Sequence, residues 1–335
     1  NNNYPEERIK YILDDFNAKY VITDNANHLK ISEKQKVLDR NLFIYDNLNY
    51  NKNSCFREDE NCLEVFYTSG TTGFPKGVKI THKNVFNFTR NFEAYGLNDK
   101  DVFTHCSSLS FDASTFEIWM SLLNGCSLLV VPDPIIDIEN WNFEELQLKP
   151  TISFLTTSLF YSMIDNESIQ LFKDHRKIFI GGEKTLAKHI KKAIKNLENV
   201  SIVNGYGPTE NTTFTTTMEF NNSFFSNVPI GKPGVNVKIG VVNKRNMLLP
   251  HNCEGEIVIG GENLSSGYLN ENITKEKFVT IDEVTDKLYK SGDIGYISSD
   301  STLNYISRID SQIKLRGYRI ELSEIEENLL KNDLV

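Results

Sequence analysis

The sequence predicts an α/β protein, with mostly parallel, helix-covered sheets followed by a β-rich subdomain. Three observations carry that expectation. Between residues 101 and 203, short apolar runs of strand length alternate with segments whose apolar residues recur at helical spacing. Such alternation packs parallel strands beneath covering helices. Beyond residue 228 the texture changes to short strand-like runs punctuated by glycine. Two further strand-like runs, 63–67 and 78–80, flank a turn rich in Gly, Ser and Thr.

The elements follow in order. Pro5 to Phe16 reads as a helix, with Pro, Glu6 and Glu7 in its first turn and Ile9, Ile12, Leu13 and Phe16 on one face. Residues 20–23 read as a strand, and the Asn/Asp-rich stretch 41–60 as an irregular connection. Val85, Phe88 and Phe92 form a helical stripe. Strands are expected at 101–104, 127–131, 151–155, 177–180 and 200–203, with helices at 114–123, 141–147, 159–165 and 185–197. The β-rich part places strands at 235–242, 255–260, 288–289, 294–297 and 303–307. Residues 312–320 are strand-like, and Ser323-Glu324-Ile325-Glu326 is a capping box that opens a last helix.

The 335 residues suit two or three subdomains, and 39% apolar with 24% charged residues is ordinary globular composition. A net charge of −9, from 36 basic and 45 acidic residues, disfavours nucleic acid as a partner. The lysines at 184, 188, 191, 192 and 195 fall at helical spacing and read as a solvated face. Five cysteines, odd in number and without C-x-x-C spacing, support neither a disulfide framework nor a zinc site; a reducing cytoplasm fits. No apolar run reaches membrane-spanning length and no signal peptide opens the chain, so no membrane partner is expected. The chain starts without methionine and reads as an excised piece.

The turn Thr68-Ser69-Gly70-Thr71-Thr72-Gly73-Phe74-Pro75-Lys76-Gly77 has the chemistry of an anion nest. Glycines permit positive φ and close approach of a ligand, hydroxyls add donors, and Lys76 adds a mobile charge. Its natural guest is a polyphosphate. It is not a Walker loop, because Pro-Lys-Gly stands where Gly-Lys-Ser/Thr would open a helix. A hydrophilic hairpin without a ligand is the plain alternative. Further on, Asn204-Gly205-Tyr206-Gly207-Pro208-Thr209-Glu210 sits at the C-terminal end of an expected strand, the edge where open parallel sheets bind ligands. There Tyr206 could stack on a purine, Thr209 donate to phosphate and Glu210 hold Mg²⁺. In Tyr289-Lys290-Ser291-Gly292-Asp293 a carboxylate follows a tight turn and could accept ribose hydroxyls.

The first of these segments resembles the phosphate loop of the adenylate-forming superfamily: acyl- and aryl-CoA synthetases, luciferases and the adenylation domains of nonribosomal peptide synthetases. The second resembles that family's other nucleotide motif residue for residue. The third departs from it only in Ser291, where Thr is usual. The stretch from Ser307 to Glu321 resembles its hinge motif, with Ser307 where Gly is expected. Gly255–Gly261 and Ser266-Gly267-Tyr268-Leu269 match the β-rich part between them. Motifs in the right order cover nearly the whole chain, which is identified as a member of this superfamily. The resemblance implies that Thr68, Ser69, Gly70, Thr71, Thr72, Gly73, Lys76, Gly182, Asn204, Tyr206, Thr209, Asp293 and Arg308 meet the nucleotide. It implies catalytic roles for Thr209, Glu210 and Lys76, with Mg²⁺ on Glu210 and a hinge at Asp310.

Phe111-Asp112-Ala113-Ser114-Thr115-Phe116-Glu117 selects the branch. A helix-start Asp that faces the dipole is the simple reading. The segment resembles, however, the adenylation-domain motif whose Asp binds the α-ammonium of an amino acid, a need acyl-CoA synthetases lack. By the same resemblance the substrate pocket falls on Ala113, Phe116, Phe154, Phe179, Gly181, Gly205, Thr213 and Phe214. Four phenylalanines and two glycines describe a dry pocket with room at its side and no second charge, suited to Val or Ile.

The expected reaction joins an amino acid to MgATP as aminoacyl-AMP and loads it onto a phosphopantetheine thiol of a carrier protein. A free-standing acyl- or aryl-CoA ligase and a non-catalytic nucleotide-binding remnant are the alternatives. The resemblance divides the chain into a large domain, 1–309, lacking its N-terminal portion and containing the β-rich 228–309, and a hinge with the start of a small C-terminal domain, 310–335. The family's catalytic lysine on that small domain has no counterpart here, since neither Lys314 nor Lys331 stands in a matching motif. Weak activity is therefore expected of this piece.

Overall fold

The computed structural model describes residues 4–23, 35–39, 61–69, 74–131, 147–220, 227–281, 284–310, 312–315, 318–322, 325, 326 and 329. The stretch 41–60, the helix expected at 141–147 apart from its last residue, Gly70–Gly73 of the glycine-rich turn, and Ser323-Glu324 lie outside the described residues. The chain divides into two units, 1–61 and 62–335. In the first, helix α1 (Glu6–Asp15) starts after Pro5, which fixes φ for a first turn, and β1 (Tyr20–Thr23) pairs in parallel with β2 (Lys36–Asp39).

The second unit opens on the hairpin β3 (Cys62–Thr68) and β4 (Lys76–Thr81). Helix α2 (His82–Thr89) follows under a capping box, in which Thr81 and Asn84 each satisfy the other's backbone N–H. It ends before Phe92, which still packs on the same apolar cluster as Phe88. Next come β5 (Val102–His105), α3 (Ala113–Thr115), β6 (Ser127–Val130), β7 (Ile152–Thr156), α4 (Thr157–Asp165), β8 (Lys177–Gly181), α5 (Ala187–Asn196) and β9 (Ser201–Tyr206). β10 (Thr216–Phe220) and β11 (Lys232–Pro233) complete a seven-stranded sheet in the order β11-β10-β9-β8-β7-β5-β6. β6, β5, β7, β8 and β9 run parallel, as the alternation predicts, and β10 and β11 turn antiparallel at one edge. Apolar clusters cover both faces: Leu155, Ile178, Ile180 and Ile202 on one, and Phe103, Phe154, Phe179 and Val203 on the other. Burial on both sides is why β7 and β8 read as unbroken apolar runs.

The helix expected at 114–123 differs in kind. After α3 the backbone widens into a π-turn over Phe116–Met120, and Gly125, with φ 76°, closes the segment.

The β-rich part holds β12 (Val237–Val242), β13 (Gly255–Gly261), β14 (Gly267–Tyr268), α6 (Glu271–Lys277), β15 (Phe278–Ile281), β16 (Val284–Ile297) and β17 (Leu303–Arg308). The two short strands expected at 288–289 and 294–297 are one strand, β16, because Gly292 absorbs a φ of 72° within it. Asp293 therefore stands in a strand and not after a tight turn. β14 joins the β3–β4 hairpin through β4, so residues near 268 lie beside the strand that leaves the glycine-rich turn. β18 (Ile313–Leu315) and β19 (Tyr318–Ile320) pair as a small antiparallel hairpin.

Candidate active site

β3 and β4 pair with Thr68 opposite Lys76, so one rung of the ladder pins both ends of the glycine-rich turn. Thr68 Oγ1 and Ser69 Oγ are buried and meet no hydrogen-bond partner among the described residues. Leaving a buried hydroxyl unsatisfied costs ~1–3 kcal/mol, a cost that a ligand rich in acceptors removes. Phosphate oxygens fit that requirement. Lys76 is itself buried, its ammonium 5.2 Å from the centroid of the Tyr268 ring.

β9 extends further than its apolar run suggests and carries Asn204, Gly205 and Tyr206 as its last residues. The chain then turns back sharply. Thr212 and Thr213 adopt left-handed φ values of 52° and 67°, and a Cβ on Gly207 would lie 2.1 Å from the Thr213 carbonyl oxygen, so only glycine allows this return. Thr209–Asn211 form one 3₁₀ turn. Its Glu210 carboxylate is completely buried and accepts from the Tyr268 hydroxyl at 2.5 Å.

Asp112 precedes α3 but makes no capping bond to it. Its Oδ2 accepts from Thr209 Oγ1 at 2.6 Å, and its backbone oxygen accepts from Thr213 Oγ1 at 2.7 Å. The structure therefore joins the residue expected to meet an ammonium with the residue expected to meet a phosphate.

A cavity of about 390 Å³ opens at the end of β8 and β9, lined among others by Gly182, Asn204, Tyr206, Asp293, Arg308 and Ile313. It collects five of the expected nucleotide contacts. Tyr206 donates to Asp293 Oδ2 at 2.6 Å, and Arg308 donates to the other Asp293 oxygen at 2.8 Å. Burial, reinforced by the Asp293 charge, holds the Tyr206 phenol well above its ordinary value, so it stays a neutral donor. Arg308 also grips the expected hinge residue Asp310 through two bonds of 2.7 Å. Asn204 is fixed by Thr185, which donates to its Oδ1 at 2.9 Å.

The expected substrate-pocket residues converge. Phe116 lies 4.7 Å from Phe179 and 5.2 Å from Phe214, centroid to centroid, and Phe154 lies 6.0 Å from Phe214; Ala113 belongs to the same buried cluster. Where a side chain would start on two of these glycines, protein atoms already stand. A Cβ on Gly205 would meet the Phe214 ring at 2.5 Å, and one on Gly181 would meet the Gly205 carbonyl oxygen at 2.6 Å. These glycines accommodate protein atoms, a ring in one case and a neighbouring strand in the other.

Three residues at this site escape the sequence reading. Tyr268 holds Glu210. Glu117, inside the π-turn, is completely buried and bonded to His105, Cys106 and Ser107. Glu64 on β3 accepts from Trp119 Nε1 at 2.5 Å and from Thr115 Oγ1 at 2.9 Å, which ties the β3–β4 hairpin to the helix after Asp112. Glu117 stands in the FDASTFE segment and Tyr268 in the SGYL segment, but the sequence reading gives neither a role there, and no motif marks Glu64; the partners of Glu64 and Tyr268 lie 51 to 58 residues away.

Comparison with known proteins gives the family. The family model for AMP-binding enzymes matches residues 1–269. The chain belongs to the AMP-binding enzyme family. A linear gramicidin synthase subunit of Brevibacillus parabrevis is 36% identical over 99% of this AMP-binding chain, which spans 4% of that relative. An artificially fused adenylation–PCP di-domain nonribosomal peptide synthetase, NpsA-ThdA from Klebsiella oxytoca, superposes with a TM-score of 0.87 at 26% identity over 99% of this chain and 68% of that one. The NpsA N-terminal subdomain in complex with 3-hydroxybenzoyl-AMSN gives 0.83 at 27% identity, over 92% of this chain and 79% of that one. Among the described residues no helix is long and apolar enough to cross a membrane.

Proposed function

We propose that this chain activates an amino acid with MgATP, forming aminoacyl-AMP and pyrophosphate for transfer to a carrier-protein phosphopantetheine thiol. The single observation that carries this reading is the Asp112 carboxylate. It sits beside an aromatic cluster and one hydrogen bond from Thr209, next to Glu210. An ammonium is the guest that such a carboxylate stabilises in an apolar surround, and an acid without the amine brings no charge to meet it.

In this reading a substrate carboxylate oxygen attacks the α-phosphorus of ATP, and the bond to pyrophosphate breaks. A thiol sulfur then attacks the acyl carbonyl and AMP departs. Thr68, Ser69 and Lys76 donate to the phosphates as charge develops on them. Glu210 would supply a hard carboxylate oxygen to Mg²⁺. Mg²⁺ typically takes one or two carboxylates and draws the rest of its shell from phosphate and water, so one carboxylate is enough here. Bound Mg²⁺ would neutralise phosphate charge. Tyr206 and Asp293 address the base and ribose, Arg308 reaches the nucleotide from β17, and Asp310 serves as hinge to the domain that starts at 310. The phenylalanine wall favours an uncharged side chain, and we assign Val or Ile.

An aryl acid is the second reading, favoured by the 3-hydroxybenzoyl analogue bound to the related NpsA subdomain. ATP–pyrophosphate exchange with the proteinogenic amino acids against fatty and aryl acids separates them. Exchange with Val or Ile, abolished in Asp112→Ala while ATP binding persists, is the expected result. Exchange with aryl acids that survives Asp112→Ala would overturn the proposal.

A further inference from the structure

Tyr268 joins the two halves of the phosphate site. In β14 it pairs with Val78, and the following residue, Leu269, donates its N–H to the Gly77 oxygen at 2.8 Å. Tyr268 is thus registered on the strand that leaves the glycine-rich turn. From there its hydroxyl reaches Glu210 Oε1 at 2.5 Å, and both residues are completely buried. The same segment holds the rest of the turn. Ser265 N–H donates to the Glu210 carbonyl at 2.9 Å, and Thr212 Oγ1 donates to the Asn263 carbonyl at 2.7 Å. The other face of the arrangement is Lys76, whose ammonium lies 5.2 Å from the Tyr268 ring centroid.

The simplest account is a core tyrosine whose hydroxyl finds any acceptor. Packing alone, however, asks only for the ring, which meets Phe278 edge-on at 5.9 Å. An ionised carboxylate only accepts, so the phenol must donate, and that donation fixes one oxygen of a side chain with three rotatable bonds. We infer that Tyr268 is a positioning residue that orients the Glu210 carboxylate toward Mg²⁺ and sets its distance from Lys76. This rests on the reading of Glu210 as a magnesium ligand. Hydrogen-bonded partners of metal ligands typically govern about 10–100-fold of metal affinity.

The test compares Tyr268→Phe, Glu210→Gln and the double variant by titrating Mg²⁺ against ATP binding, measured calorimetrically, and against pyrophosphate exchange. Tyr268→Phe keeps the ring and its contact with Lys76. It should raise the Mg²⁺ concentration at half-saturation about tenfold or more while the amino-acid KM stays unchanged. In the Glu210→Gln background the same change should add nothing, because the tyrosine acts through Glu210. Glu210→Asp, whose shorter side chain withdraws from the phenol, should show the same tenfold shift and stands in if the Phe variant unfolds. A Mg²⁺ curve unchanged in both Tyr268→Phe and Glu210→Asp, with Glu210→Gln shifted, overturns the positioning role alone. Curves unchanged in every variant overturn the metal reading of Glu210 and this inference with it. Equal shifts from Tyr268→Phe with and without Glu210 would mean that the tyrosine acts elsewhere, which also overturns it.

Discussion

Thr209 Oγ1 donates to Asp112 Oδ2 across 2.6 Å, so one hydroxyl connects the proposed ammonium acceptor with the proposed phosphate donor. The hydroxyl has one proton to give. While Asp112 holds it, part of that carboxylate is already satisfied, and a phosphate that claims it returns the carboxylate to the ammonium. Phosphate and Asp112 compete for one donor, so phosphate binding favours ammonium binding, and the coupling is reciprocal.

ATP should therefore tighten amino-acid binding by about fivefold or more, within the usual range of such couplings. In Thr209→Val the amino acid alone should bind at least as well as to the wild type, and a non-hydrolysable ATP analogue should no longer strengthen it. Calorimetric titration of the amino acid with and without the analogue measures both constants. Undiminished coupling in Thr209→Val would show that the bond to Asp112 has no part in it.

The Phe214 ring occupies the space that Gly205 leaves open, between Phe116 and Phe154. Gly205→Ala drives a methyl group into that ring and should cost ~1–3 kcal/mol, as overpacked cores do. Phe214→Ala should instead clear a side-chain-sized space at a stability cost of ~3–5 kcal/mol. Its exchange profile should then move from Val or Ile toward bulkier side chains. Urea unfolding and competition kinetics together check the pair. A profile unmoved by Phe214→Ala removes this ring from the pocket.

The parts legible in the sequence were those written in local pattern. β7 and β8 show as apolar runs because both faces are covered, α5 shows through helical spacing, and the β3–β4 hairpin shows as two strand-like runs around a Gly-rich turn. The π-turn at Phe116–Met120 differs from an α-helix by one residue per hydrogen-bonded loop, a change that apolar spacing does not encode. β10 carries Thr-Thr-Met-Glu-Phe, no clean alternation, and pairs because β9 offers an open edge. β16 looks like two strands because a positive-φ glycine interrupts it without breaking its pairing. At the site, motif residues such as Asp112 and Glu210 were named from the sequence, but the partners that orient them, Thr209 and Tyr268, are set by tertiary contact.

His175 gives the fold a pH dependence. It is buried against Phe172 at 4.7 Å, its Nε2 lies 2.9 Å from Ser153 Oγ, and burial pushes its imidazole from 6.5 down to about 3. The folded state refuses a proton that the unfolded chain accepts. Stability is therefore fully present above pH 6.5 and falls as the pH drops from there toward 3, with a slope of about 1.4 kcal/mol per pH unit from this group. Urea unfolding at pH 7.5, 6 and 5 should show the decline, and His175→Gln should flatten it. A wild-type slope retained in that variant would assign the effect to another group.

Glu117 links the end of β5 to the segment that presents Asp112. Its oxygens accept from Cys106 N at 3.2 Å, from Ser107 N at 3.0 and 3.1 Å and from Ser107 Oγ at 2.9 Å, and His105 Nδ1 lies 2.6 Å away. Four donors converge there on one completely buried carboxylate. Glu117→Ala strands these donors in a dry site and should cost ~3–5 kcal/mol, the usual result when one partner of a buried charged network is removed. Glu117→Gln is not a neutral substitute, because its amide turns two N–H donors toward groups that are themselves donors; it should lose about 1–3 kcal/mol. Ser107 lies only five residues before Asp112, so loosening this loop should also displace the carboxylate from Thr209. The amino-acid KM should then rise in Glu117→Gln while the ATP KM holds. Unfolding midpoints and the two KM values distinguish this from a purely structural role, which would lower stability and leave both constants where they are.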